Sequence, residues 1–192
     1  MWLFMCALVL LPGWVWAYTL TDADYQKLQT DITVTHQAEF STAVANNDDK
    51  AISDAYGLVA VPDFWIWRTQ LGEKEIYEAT SVDNTTWNWA TYKSQTVQDR
   101  DSWARMMSPG MVNPSLVQTR AGWQAIFGGQ GASLQQVNFL LSLSRRQALR
   151  GEALFADTSG GAGTTAAPAT LTFIGYLRPI DIGHALRGVP LP

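Results

Sequence analysis

The side chains able to do chemistry are few and scattered. The two histidines, His36 and His184, stand far apart in the chain. Neither has a second His, Cys or carboxylate at the spacing a metal needs. Cys6 is the single cysteine, so no intramolecular disulfide or thiolate cluster can form. Asp99 with Asp101, and Glu73 with Glu75, are i,i+2 pairs that point apart on a helix, so neither makes a general acid and base pair. No nucleophile elbow, zinc-protease helix, phosphate loop or dinucleotide fingerprint occurs in the sequence. Gly128-Gly129-Gln130-Gly131 lacks the preceding strand and following Lys-Ser/Thr of a phosphate loop and reads as a helix–helix connector. Asn84-Thr85-Thr86 matches a glycosylation acceptor and serves equally as a helix cap. Catalytic, metal and cofactor sites are therefore not expected.

The chain has 192 residues, 47% of them hydrophobic, which suits one domain with a core. A net charge of −4 leaves no basic surplus for a phosphate backbone, so specific nucleic-acid binding is not expected. Nine tryptophans are many for this length; their area and single donor suit cores and protein interfaces alike.

The elements read as mainly α. Residues 1–17 form an uncharged apolar leader ending Val15-Trp16-Ala17, either signal-like with cleavage after Ala17 or the product of a start site placed too early. Its apolar run is too short to span a membrane. A helical domain over residues 18–157 follows. Thr21 caps a helix to about Thr33, Thr35 caps a second through Ala45, and Asn47-Asp48-Asp49 caps a third, Lys50 to Tyr56, closed by Gly57. The aromatic segment Pro62 to Arg68, with Trp65 and Trp67, fits either a buried strand or the first turns of a helix opened by Pro62, and helix or irregular chain is expected. A short helix is expected from Gly72 to Thr80. The next is expected from Trp87 to Met107, with Trp89, Tyr92, Thr96 and Trp103 inward. Asn113-Pro114 opens another, ended by Gly128-Gly129, and Ser133 caps a long one through about Ala156.

From residue 158 to 169 the composition turns to Ser, Gly, Thr and Ala, the signature of a flexible linker. A C-terminal arm over residues 170–192 begins with the strand-like alternation of Thr170 to Ile174 and continues into a short helix opened by Pro179. A lone strand must pair with another edge, on this chain or a neighbour.

Four stretches carry a resemblance across about Tyr18 to Gly188. They are Ala45-Asn46-Asn47-Asp48-Asp49-Lys50-Ala51-Ile52; Val112-Asn113-Pro114-Ser115 with Arg120-Ala121-Gly122; Ser144-Arg145-Arg146-Gln147-Ala148 with Glu152-Ala153-Leu154-Phe155-Ala156; and Pro168 to Gly175 with Asp181-Ile182. In these the chain resembles a family of tailed-phage and prophage proteins from the virion-assembly region, whose members usually begin near the equivalent of Thr19-Leu20-Thr21. The resemblance implies a structural virion protein at the neck, a head–tail connector adaptor or head-completion subunit. It further implies a homo-oligomeric ring with portal, tail or neck subunits as partners. Leu171, Phe173 and Ile174 in the arm, with Trp65 and Trp67 as anchors, are the expected interaction residues. The alternative is a secreted, periplasmic helical binding protein whose aromatic cleft takes a small apolar ligand.

Overall fold

The computed structural model describes residues 20–173 and 175–191; the leader and Ile174 lie outside them. The chain is mainly α. Its helices are α1 (Asp22–Thr30), α2 (Gln37–Ala45), α3 (Asp49–Tyr56), α4 (Glu73–Glu78), α5 (Trp89–Ser94), α6 (Val97–Met107), α7 (Val117–Phe127), α8 (Ala132–Leu143), α9 (Arg150–Phe155) and α10 (Pro179–Arg187). Four short strands accompany them: β1 (Trp65–Trp67), β2 (Leu71–Gly72), β3 (Met111–Val112) and β4 (Arg145–Gln147). No helix among the described residues is long and apolar enough to cross a membrane.

Local chemistry explains the first elements. Thr21 accepts from the Asp24 amide while Asp24 accepts from the Thr21 amide, so two of the orphan donors at the start of α1 are satisfied. Asp48 accepts from the Ala51 amide at the start of α3, and Gly57 ends that helix. Between α1 and α2 the chain widens into a π-turn, Asp31–Thr35. That turn moves the start of α2 to His36, which makes no side-chain cap, so Thr35 does not open this helix.

Two hydrophobic clusters follow. One gathers β2, β3, α4 and α6 to α8 around Trp87, Trp103, Trp123, Phe127 and Phe139. The other gathers α1 to α3, α9 and α10 around Leu28, Ile32, Phe40, Ile52, Tyr56 and Ile182. Between them lies a small third cluster of Ile66, Ala148 and Ala169, centred on the β1–β4 ribbon. The second cluster draws on both Leu20 and Ala185, so its wall is built from segments far apart in sequence.

Several expected elements end differently. Pro62 to Arg68 contains a strand, because β1 pairs antiparallel with β4, Trp65 opposite Gln147 and Trp67 opposite Arg145. The helix expected from Trp87 to Met107 is two, α5 and α6. Thr96 is exposed, and its hydroxyl accepts from the Asp99 amide at the start of α6 instead of lying inward. Asn88, not Asn84-Thr85-Thr86, caps α5. Asn113 folds back on the Ser115 amide at 3.0 Å, which spends its cap on a turn and delays α7 to Val117. The long helix from Ser133 is interrupted too: Gly131 precedes α8, and Ser144 ends it. The buried Ser144 carbonyl accepts from the Arg68 amide at 2.8 Å, so tertiary pairing takes over where the helix ladder stops.

The segment over residues 158–169 is tied to the body. The Gly163 carbonyl accepts from the Trp65 amide, and Ala169 exchanges hydrogen bonds with Trp65 and Trp67 across a parallel bridge to Ile66. Its glycines serve close approach. A Cβ on Gly161 would stand 2.2 Å from the Pro168 carbonyl oxygen, and one on Gly163 2.3 Å from the Phe64 ring. Gly163 also holds φ +76°, in the region disfavoured for side chains. Gly163→Ala is accordingly expected to cost about 1–3 kcal/mol, read as a lowered midpoint in chemical unfolding. An unchanged midpoint would mean that the segment is not held as drawn. Thr170 makes one bridge to Asp157, and residues 171–173 bend away, so no strand forms over Thr170 to Phe173.

Candidate interaction surface

The ribbon sets the geometry of the tryptophans. Side chains alternate across a strand, so Ile66 points into the fully buried centre while Trp65 and Trp67 share the opposite, half-exposed face. Arg146, opposite Ile66, is 37% exposed along its side chain and meets Glu152 in a two-pronged pair at 2.6 and 2.7 Å. Glu152 is almost wholly buried. It also accepts from the Leu149 amide at 3.0 Å and the Gly175 amide at 3.5 Å. Arg145, on the tryptophan face, pairs with Asp83 and donates to the Thr165 carbonyl.

Trp67 carries a cation. The Arg120 guanidinium lies 4.3 Å from its ring centre, within cation–π range. Arg120 donates to the Pro114 and Ser115 carbonyls at 2.5 and 2.9 Å and forms no ion pair with any described residue. Burial pulls its guanidinium below the ordinary arginine value, and no carboxylate offsets that. Trp65 holds the chain differently, its amide and carbonyl both engaged by residues 163–169.

The arm residues face inward. Phe173 is buried in the second cluster, its ring edge-on to Phe155 at 5.5 Å. Thr172 donates to the Phe155 carbonyl. Leu171 is half-buried against the third cluster. The structure therefore brings Trp65 and Trp67 together on one face and places Leu171 and Phe173 against this chain's own body; Ile174 lies outside the described residues. Arg120 is the member that sequence reasoning left out, although Arg120-Ala121-Gly122 stands in one of the four resembling stretches. No sequence period links it to Trp67, because the contact spans 53 positions of chain folded by β1 and α7.

A second group of polar side chains lies beside α2. Tyr56 donates to Asp31 at 2.5 Å, the His36 ring nitrogen stands 3.2 Å from the same carboxylate, and Arg150 holds Glu39 with two bonds at 2.6 and 2.9 Å. Hydrogen bonds from Arg150 hold the Glu39 carboxyl below its ordinary value, and burial pushes the Tyr56 hydroxyl far up. Tyr56 with Asp31 and Arg150 with Glu39 are spent on one another, and the arrangement ties α9 to α2 and α3. Three of the four paired carboxylates are similarly engaged, Asp99 accepting from Thr96, Glu73 from Tyr77 and Glu75 from Arg68. Among the described residues no group of three His, Cys, Asp or Glu side chains is placed to hold a metal ion.

The tryptophans of the first cluster fill their own space. Trp87 stands 5.1 Å from Trp103 and 5.8 Å from Phe127, ring centre to ring centre, and only Trp89 at its rim is substantially exposed. Burial pushes the neighbouring Tyr77 hydroxyl up to about 12. No protein-family model matches the chain, and neither a curated protein nor a solved structure matches it.

Proposed function

We propose that the chain is a structural subunit of a tailed-phage particle, working at the neck as a head–tail connector adaptor or head-completion protein through protein–protein contacts. The observation that carries this reading is the half-exposed face of Trp65 and Trp67 with Arg120 stacked on it. Trp and Arg are the residue types that dominate binding energy at protein interfaces, and a stacked guanidinium is already ordered before a partner arrives. The four stretches of resemblance supply the kind of partner: portal, tail or neck subunits. In this reading the protein meets its neighbours as a folded body with the arm docked, and a Gly-rich linker with a freely reaching strand is not required.

The test uses residues 18–192 mixed with purified tailed-phage portal and tail proteins, with complex mass read by native mass spectrometry. The wild-type chain is expected to join the portal, and peptides from it to appear in purified particles. Trp65→Ala with Trp67→Ala is expected to weaken that binding at least about 30-fold, since hot-spot truncations cost about 2 kcal/mol or more. A chain absent from particles and indifferent to the portal sinks the reading. Release into the periplasm with Tyr18 as first residue would favour the secreted alternative.

A further inference from the structure

The β1–β4 ladder has two unlike ends. At one, next to the bridge between Val59 and Leu149, Leu58, Val59 and Val61 are 65, 49 and 91% exposed. Asp63 follows them, exposed and without an ion pair among the described residues. At the other end, next to the Trp67–Arg145 pair, Arg120 covers Trp67 and lacks a carboxylate. Leu116 and Val117, one turn before Arg120, are 50 and 65% exposed. Eight Cα-to-Cα steps lead from Val59 to Trp67, so the ends lie at most about 29 Å apart.

The two ends are complementary in charge as well as alike in apolar character. A half-buried guanidinium without a counter-charge is costly, and a carboxylate arriving with an apolar surround removes that cost. Because the complementary groups sit at opposite ends of one ladder, one end of a molecule is suited to the other end of the next. We infer that successive copies of this chain join head to tail, the Val61–Asp63 end of one copy against Leu116, Val117 and Arg120 of its neighbour, with Asp63 pairing to Arg120. Such a contact is heterologous, and it generates a ring if the rotation closes or a filament if it does not. The inference rests on the neck-subunit reading and specifies how its ring would be joined.

Charge exchange tests it on the whole chain by sedimentation equilibrium. Asp63→Arg, on an exposed side chain with no partner to lose, and Arg120→Asp are each expected to weaken self-association at least about 30-fold. Carrying both changes in one chain is expected to restore most of it. Mixing the two single variants is expected to restore association as alternating copies. The arginine of Asp63→Arg then meets the aspartate of Arg120→Asp at one junction and the native Asp63 and Arg120 meet at the next, while like copies repel. A wild-type chain that remains monomeric, single variants that associate like wild type, or a double variant that stays dissociated would each overturn the inference. Portal binding and presence in particles are read separately, so the neck reading can stand while this contact fails.

Discussion

Glu152→Ala is expected to cost about 2–4 kcal/mol, because the buried carboxylate is what the Arg146 guanidinium and two backbone amides bond to. Arg146 itself is 37% exposed, so the cost lies in the donors left unpaired around an emptied buried position rather than in a stranded charge. Glu152 also accepts the Leu149 amide at the start of α9 and the Gly175 amide in the arm, so one carboxylate joins three segments. For a chain of this length the loss corresponds to a melting temperature lowered by about 4–16 °C. Glu39→Ala is the control: it breaks an equally well-formed but half-exposed pair with Arg150 and is expected to cost about 1 kcal/mol or less. Equal effects from the two variants would show that burial of the Glu152 carboxylate does not set the weight of its pair.

Ending the chain after Thr165 is expected to abolish cooperative unfolding altogether. The cut removes Ala169 from the third cluster and Phe173, Leu177, Ile182 and Ala185 from the second. Phe173→Ala alone is expected to cost about 3–5 kcal/mol as a buried aromatic truncation. Adding the other lost side chains exceeds the roughly 5–15 kcal/mol by which domains are stable. The near-ultraviolet circular dichroism of Trp103 and Trp123 is an independent reporter, since both lie in the first cluster. A shortened chain that keeps a sharp melt would show that the arm is an appendage after all.

Those two variants touch the parts of the fold least legible in the sequence. Thr21, Asp48 and Gly57 announce their helix ends because capping is a local matter, settled within four residues. Mainly helical character was equally readable from the apolar periodicity. The ribbon was not: Arg145-Arg146-Gln147 has no strand propensity, and it becomes β4 because Arg68 takes the Ser144 carbonyl and Glu152 takes Arg146. The break at Thr96 did leave a signal, a Thr three residues before Asp99, which the apolar pattern running through it obscured. Glycine richness over residues 158–169 misleads for a physical reason. Small residues permit flexibility in a free chain and close approach in a folded one, and composition is the same in both cases. Trp65 and Trp67 were identifiable as candidate anchors, but their sharing one face of a strand was not, and Arg120 required the tertiary fold.

The second cluster has a consequence for how the protein is made. Tyr25 reaches Asp181 across 156 positions, and Ser53 donates to the Leu177 carbonyl across 124. At ordinary elongation rates the ribosome takes on the order of ten seconds to cover such a distance. Throughout that interval Leu28, Ile32 and Ile52 have emerged while α10, which covers them, has not been translated. This half of the molecule closes only after most of its sequence exists, leaving a nascent chain with open apolar helices that a ribosome-associated chaperone is suited to shield.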